Sequence, residues 1–381
     1  MTSQFQLTDD QLAIQEMAQR FTADNITPFA AEWDEKHHFP RDVIQKTGEL
    51  GFGAIYVSEA SGGIALGRLE AALIMEAMAY GCPATSAYVS IHNMAAWMID
   101  TYGSAELKAK YLPKLVTMEH IASYALTEPG SGSDAAALKT TAKLDGDHYV
   151  LNGTKQFISG SGFNDIYVVM VRTGEDKAKG ITCLVVEKGT PGLSHGAPEN
   201  KLGWNASPTA QLIFEDCRVP VSNRVGAEGE GFRFAMAGLD GGRLNIGACS
   251  LGGAQRCLDE AVSYTKERQQ FGQPVADFQN TQFMLADMAT ELEAARALLY
   301  LAACKVTDGA PDKSRFSAMA KRLATDTGSK VVNDALQLFG GYGYLKDYPI
   351  ERFWRDLRVH SILEGTNQVM RMIVGRDMLR Q

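Results

Sequence analysis

Apolar positions change their rhythm twice along the chain. Up to about residue 119 they return at the ~3.6-residue spacing of helices. Thr8 is placed to cap a first helix, with Asp9 and Asp10 in its opening turn, where the helix dipole favours anions. Ala13, Met17 and Phe21 then share a face, and Pro28 closes the element. Pro40 is placed to start a second helix that Gly51 stops. Leu66 to Tyr80 and Pro83 to Tyr102 predict two more, apolar enough around their circumference to be buried on most sides.

From His120 to about Val219 the pattern is that of strands. "LDGDHYVLNGTKQFISG" carries two turn dipeptides, Asp145-Gly146 and Asn152-Gly153, flanked by Tyr, Val, Leu and Phe, which predicts hairpins. "DIYVVMVR", "ITCLVVEK" and "AQLIFEDCRVP" add further strands. After Gly231 helical spacing returns. "FQNTQFMLADMATELEAARALLYLAACKV" predicts a long helix with Phe283, Ala286, Met288 and Leu292 near one another on its turns. A second runs from Pro311 to a stop at Gly340 and Gly341. The fold class is α+β: an N-terminal helical domain over 1–119, a middle β-barrel or sandwich over 120–225, and a C-terminal helical bundle over 226–381. There is no internal repeat and no low-complexity linker, so the three regions are expected to share interfaces.

With 381 residues, 45% apolar and 22% charged, the chain has the composition of an ordinary globular protein with substantial cores. A net charge of -8 and a pI near 5.5 argue against a nucleic-acid partner, which needs clustered Lys and Arg. Cys82, Cys183, Cys217, Cys249, Cys257 and Cys304 form no CxxC pair, which suits reduced thiols better than disulfides or zinc. The opening "MTSQFQLTDDQLAIQ" resembles neither a secretory signal nor a transit peptide, and no apolar run approaches the ~20 residues of a membrane span. These features predict a protein without stable membrane insertion, in a bacterial cytoplasm or, as a processed form, in the mitochondrial matrix.

Several chemistries are absent as motifs. There is no GxGxxG, no "GK" dipeptide for a P-loop, no HExxH and no GxSxG. The histidines are scattered apart from His37-His38, which reads as a solvated pair, so no metal site is expected. What remains is glycine mixed with hydroxyls and aromatics. "SYALTEPGSGSD" (123–134) ends a strand in a loop whose N–H groups and hydroxyls suit a polar ring edge or a phosphate, or simply a solvent turn. "KQFISGSG" sets Phe157 two residues before Ser159. "QLFGGYGYLKD" packs three glycines into four residues, more than a helix C-cap needs. In "HSILEGTNQVMR", Glu364 stands between an apolar step, Ile362-Leu363, and a glycine turn that opens the last helix. Its alternatives are a solvated loop charge and a base in a dry pocket.

Taken together these stretches are specific. The chain resembles the acyl-CoA dehydrogenases along almost its full length: "ALTEPGSGSDAAA" and "QLFGGYGYLKDYPIERFWRD" are similar to the two family signatures, and "ILEGTNQVMRMIVGR" to the segment carrying the catalytic glutamate. "SIHNMAAWMID", "NDIYVVM" and "CLVVEKGTPGLS" resemble the members that act on short branched acyl chains. The resemblance implies an N-terminal helical domain, a central β-domain and a C-terminal four-helix bundle, in a homotetramer. It implies FAD as cofactor, an acyl-CoA as substrate and an electron-transfer flavoprotein as partner.

It also implies roles for residues. Glu364 matches the base that removes the α-proton. Ile362 and Leu363 would desolvate it and raise its pKa, while the following helix N-terminus pulls the other way. Some relatives carry the base near "GLDGGRLN", where this chain has Gly242, with no side chain to act. Tyr124, Leu126, Thr127 and Ser133 match positions lining the flavin, with Phe157 stacking beside the ring where many relatives have Trp, and Ile158 and Ser159 following. Arg268, Phe271 and Gln279 match contacts to the FAD of a neighbouring subunit, and Gln337, Gly340 and Gly341 its pyrophosphate region. Thr366, Asn367 and Gln368 match further FAD contacts. Ser133, Asp240, Gly241, Gly242, Arg243 and Arg376 match positions near the CoA ligand.

Overall fold

A computed structural model describes residues 6–175 and 177–380. The first residues of the N-terminal stretch read above, 1–5, lie outside this range. Helix α1 (Asp9–Asn25) starts at a capping box in which Thr8 Oγ1 accepts from Gln11 N at 3.2 Å and Gln11 Oε1 accepts from Thr8 N at 3.0 Å. Its buried face differs from the expected one. Ala18 and Thr22 are buried, with Ile14 and Phe21 packed beside them, while Ala13 and Met17 are exposed. The i, i+4 ladder from Ile14 meets the core, and the sequence pattern was offset from it by one residue. A short helix not expected from sequence, α2 (Ala30–Glu35), precedes α3 (Arg41–Lys46), which follows Pro40 and ends through a tight turn at Gly51, φ 77°. The apolar pair is α4 (Arg68–Gly81) and α5 (Pro83–Tyr102), followed by α6 (Ala105–Val116).

Strands β1 (Ala122–Ala125), β2 (Thr141–Asp145), β3 (His148–Ser159), β4 (Ile166–Arg172), β5 (Ile181–Glu187), β6 (Leu193–His195), β7 (Thr209–Pro220) and β8 (Arg224–Val225) form one sheet in the order β6-β7-β3-β2-β4-β5-β8, with β1 parallel to β4. Asp145-Gly146 makes the β2–β3 turn as expected, but Asn152-Gly153 is not a turn. It lies inside β3 opposite a bulge in β7, where Asn152 alone faces Glu215 and Asp216 between the Leu151–Cys217 and Gly153–Phe214 pairs. Asn152 exchanges hydrogen bonds with Asp216 on β7, and a Cβ on Gly153 (φ 145°) would lie 2.6 Å from Thr140 Oγ1. The close approach of chain to chain, not a reversal, requires the glycine.

Strand β4 shows why its residues read as a continuous apolar run. Ile166, Val168 and Met170 pack towards α5 and α6, and Tyr167, Val169 and Val171 towards the interior of the β-domain with Leu151 and Phe214. Both faces are covered, so alternation is lost.

The C-terminal helices are α7 (Gly231–Glu267), α8 (Gln279–Thr307), α9 (Lys313–Phe339), α10 (Ile350–Arg358) and α11 (Asn367–Met378). Between α7 and α8 lies a small ribbon of β9 (Gln269–Gln270) and β10 (Gln273–Pro274). On α8 the expected seam is only half right: Met288 and Leu292 are buried, but Phe283 is 58% exposed and Ala286 is also exposed. The inward stripe is Met288, Leu292, Ala295 and Leu299, one face around from Phe283. A single core joins Ile44, Ile74 and Met78 of the N-terminal helices to Leu251, Leu292, Val331 and Phe353 of the bundle. Interfaces are therefore shared, as the absence of linkers suggested. Among the described residues no helix is long and apolar enough to cross a membrane, and no group of side chains is placed to hold a metal ion.

Candidate active site

Helix α7 carries two adjacent glycines, Gly241 and Gly242, where other side chains occupy the space beside its backbone. A Cβ on Gly242 would sit 2.7 Å from Glu364 Oε2, and one on Gly241 would sit 2.3 Å from Arg68 Nη1. Glu364 itself holds a left-handed backbone, φ 54°, and Gly365 follows at φ 85°. This turn is unusual for a residue with a Cβ and swings the carboxylate back toward α7. Thr366 then caps α11 by accepting from Val369 N at 3.2 Å. Glu364 Oε2 is buried and accepts no hydrogen bond. Burial pushes the carboxyl up to about 7, against the opposing charges of Arg243 and Lys321. Ile362 does not supply that burial, since it is 51% exposed. Leu363 packs on the core, Gly242 of α7 borders the buried oxygen, and the Arg243 and Lys321 charges oppose the rise.

Tyr124 on β1 faces the same space. Its hydroxyl is buried and unpartnered, and the phenol is held well above its usual range by burial first and by the Glu364 charge next. Two buried polar atoms without partners, Glu364 Oε2 and the Tyr124 hydroxyl, are thus free to meet a polar atom of a ligand.

The flavin-type residues expected from sequence converge beside it. Ser123 Oγ donates to Ser159 O at 2.6 Å, and Gln156 N donates to Thr127 O at 2.8 Å, tying β3 to the 126–134 loop. Leu126 and Ile158 are buried, whereas Thr127 and Ser159 are half-buried. A bulge in β3 itself, between Lys155 and Ile158, places Phe157 at φ 58° and turns its ring outward, 63% exposed. Beneath the loop, Glu128 accepts from Lys155 Nζ at 2.8 Å and from Thr140 N at 2.9 Å, and also from Lys139 N. Burial works to raise the Glu128 carboxyl, but Lys155 and these donors hold it below its ordinary value. This pair was not identified from sequence. An acid in a loop and a lysine on an alternating strand look like two solvated charges until the fold brings them together.

Other expected residues are placed less simply. Asp240 pairs with Arg243 at 2.7 Å and accepts from Ser314 Oγ at 2.6 Å, and a cavity of about 320 Å³ opens beside it, walled by Tyr56, Arg68, Trp97 and Tyr102. Arg243 also donates from Nε to Glu364 O at 3.4 Å. Asn367 is 3% exposed, and its side chain is consumed by Lys321, Thr325 and Asp326 of α9. It can offer an outside group only its backbone. Gln368, Ser133 and Arg376 are exposed. Arg268, Gln337, Gly340 and Gly341 line a different cavity of about 520 Å³, which shares no lining residue with the Glu364 site. Gly340 (φ 57°) and Gly341 have open space where a Cβ would stand, leaving bare backbone for a close ligand. Phe271 is 94% exposed and Gln279 is exposed, and neither lines that cavity.

The chain matches the acyl-CoA dehydrogenase N-terminal domain over residues 8–119, the middle domain over 123–217 and the C-terminal domain over 229–379. It is 58% identical over 373 residues to the mitochondrial isobutyryl-CoA dehydrogenase of Dictyostelium discoideum, covering 98% of this chain and 90% of that one. It is 52% identical over 375 residues to the mitochondrial isobutyryl-CoA dehydrogenase of Bos taurus, with the same coverage. Among solved structures, butyryl-CoA dehydrogenase from Megasphaera elsdenii superposes with a TM-score of 0.96 at 39% identity, over 99% of this chain and 100% of that one. The chain belongs to the acyl-CoA dehydrogenase family, whose members are FAD-dependent oxidoreductases.

Proposed function

We propose that this protein oxidises a short branched acyl-CoA, isobutyryl-CoA to methacrylyl-CoA, as in valine breakdown, with FAD as cofactor and an electron-transfer flavoprotein as electron acceptor. The observation that carries the reading is the buried, unpartnered Glu364 carboxylate facing Gly242. The α-proton of a thioester is weakly acidic, so its removal needs a strong base with nothing competing for its lone pairs. Glu364 fits, since a carboxyl raised to about 7 is a better base than an ordinary one yet is still largely ionised above neutrality. The oxygen that would take the proton of a bound thioester is the buried Oε2, which has no hydrogen-bond partner.

The residues present fit a flavin. Phe157 offers an exposed aromatic face, Thr127 and Ser159 offer hydroxyls beside it, and Leu126 and Ile158 close the apolar side. When bound, FAD supplies the two-electron acceptor for the hydride from the β-carbon. Arg268, Gln337, Gly340 and Gly341 suit a diphosphate, with a guanidinium and open glycine backbone. Because their cavity is separate from the Glu364 site, they would serve the cofactor of a neighbouring subunit in a homotetramer, with Phe271 and Gln279 on the same exposed side. Asp240, Arg243 and Ser133 would meet the CoA portion. The preference for the branched four-carbon acyl group rests on the identity to two isobutyryl-CoA dehydrogenases.

An anaerobic titration of the holoprotein with isobutyryl-CoA, followed at the flavin absorbance, tests this reading. Bleaching at near-stoichiometric ligand is the expected result. A protein that stays yellow with isobutyryl-CoA but bleaches with butyryl-CoA keeps the family activity and overturns the substrate.

A further inference from the structure

The mechanism uses Glu364 but gives no role to the lysine buried behind it. Lys321, on α9, is fully buried and has no carboxylate within ion-pairing distance among the described residues. Its Nζ instead donates to Gly365 O at 2.8 Å and to Asn367 Oδ1 at 2.9 Å. One residue earlier, Glu364 O accepts from Arg243 Nε at 3.4 Å. Two successive carbonyls of a left-handed turn are thus each held by a buried cation, one from α7 and one from α9. Such a turn at a non-glycine residue persists only where its surroundings over-determine it. Deleting either hold would let the backbone relax and swing the carboxylate off α7.

We propose that Lys321 is a positioning residue for the base: with Arg243 it clamps the Glu364–Gly365 turn and fixes where the carboxylate points. This rests on the reading of Glu364 as the base. A strut that merely joined α9 to α11 would need only the Asn367 contact, which Thr325 and Asp326 already duplicate. The bond to Gly365 O is the one that, among the described residues, Lys321 alone makes. Charge is the second contribution. The groups facing Glu364 are Arg243 from α7, Lys321 from α9, Tyr124 from β1 and Tyr56 from the loop before α4. Only the first two are cations, and both favour the ionised carboxylate. Lys321 is itself drawn down to about 8 by burial, with Glu364 working to raise it.

The signal in the sequence was the pattern "SAMAKRLATDTG". Lys321 falls in line with Ser317, Ala324, Thr325 and Gly328, a buried stripe of small residues where a solvated lysine has no place.

The test compares K321M, K321Q and K321R as holoenzymes, normalised to bound flavin, in anaerobic half-reactions with acyl-CoA from pH 5.5 to 9. In parallel, difference infrared spectroscopy follows the Glu364 carboxyl stretch against pH, with E364Q as the blank. K321M and K321Q are expected to lower the reduction rate at least ~10-fold with KM changed less than ~3-fold, a loss of orientation rather than binding. Both should move the acid limb and the infrared midpoint up by about half a pH unit or more, since a neutral residue no longer favours the carboxylate. K321R keeps the charge and should hold the midpoint near the wild-type value. Rates and midpoints unchanged in K321Q, with only thermal stability lowered, would make Lys321 a strut and overturn the proposal. So would a K321R midpoint shifted as far as that of K321Q. If K321M does not fold, the Gln and Arg variants decide alone. Activity retained in E364Q would sink the base assignment, and the infrared titration would still report whether Lys321 governs that carboxyl.

Discussion

Gly242 and Glu364 occupy one another's space: a Cβ on the glycine would stand 2.7 Å from the carboxylate oxygen that has no hydrogen-bond partner. The glycine is therefore part of how the base is placed, not a gap in the helix. On helix propensity alone, alanine would stabilise α7 by up to ~1 kcal/mol. Gly242→Ala is expected instead to displace the carboxylate and slow flavin reduction by roughly 10–100-fold while flavin content stays normal. Stopped-flow reduction at saturating acyl-CoA measures this, and a wild-type rate would mean that the carboxylate works from another rotamer.

The raised Glu364 carboxyl makes a prediction in two directions. The base must be ionised, so kcat/KM should fall tenfold per pH unit below a midpoint near 7. Stability runs the other way. A carboxyl held above its ordinary value of 4.5 contributes stability that is full below that value and is lost as pH rises through about 7. Glu364→Gln cannot ionise. It should therefore turn over at least ~10²-fold more slowly and yet resist urea better than wild type at pH 8, by on the order of 1–2 kcal/mol after allowing for partial exposure. The difference should close near pH 5. Near-normal turnover would place the base elsewhere.

The buried pair Glu128–Lys155 holds the loop that carries Leu126 and Thr127. Glu128→Gln strands Lys155, which is wholly buried and already depressed to about 8 by burial. A loss of about 3–5 kcal/mol is expected from equilibrium unfolding. Flavin should also be retained less well on gel filtration, since the loop loses its anchor. The double variant Glu128→Gln/Lys155→Met should recover part of the stability. If it recovers none, the pair matters through its hydrogen bonds to Thr140 and Lys139 and not through its charge.

His360, three residues before the turn's apolar step ends, reports on acid stability. Trp204 Nε1 donates to its Nε2 at 3.3 Å, so its Nδ1–H donates to Ser250 Oγ at 2.6 Å, and the ring is neutral. Burial draws it down from 6.5 to about 3. The unfolded chain then binds a proton that the folded one refuses, so its stability contribution is full above about 6.5 and is lost as pH falls toward 3. His360→Gln should flatten the fall of unfolding free energy over that window by up to ~1.4 kcal/mol per pH unit. An unchanged slope would show that the imidazole stays solvated.

Much of this was legible from residues alone. Pro83–Tyr102 was bounded correctly because proline and glycine punctuate it, and the capping box at Thr8 was fixed by local chemistry. The α–β–α order followed from the change of period. What was not legible depends on distant contacts. Asn152-Gly153 has the chemistry of a turn, and only its pairing across to β7 and the crowding of Thr140 against the glycine show it to lie inside a strand. Ile362 and Leu363 looked like the groups that dry Glu364, but Ile362 is exposed and only Leu363 packs on the core, while Gly242 of α7 closes on the carboxylate from a distant part of the chain. Lys321 carried a periodic signal, but its partners lie more than 40 positions along the chain.

Strand β3 forgoes regular pairing between Lys155 and Ile158, where Gln156 and Phe157 stand against a single residue of β7. Deleting one residue there would restore an ordinary ladder. On pairing alone such a chain would fold at least as well, with Lys155 and Ile158 still opposite Leu212 and Ala210, but it would lose the position that turns Phe157 outward. The irregularity is thus a form of memory: a one-residue count, kept in the backbone, that no substitution can imitate and any shortening erases. Variation at Phe157 should accordingly be freer in residue type than this strand is in length.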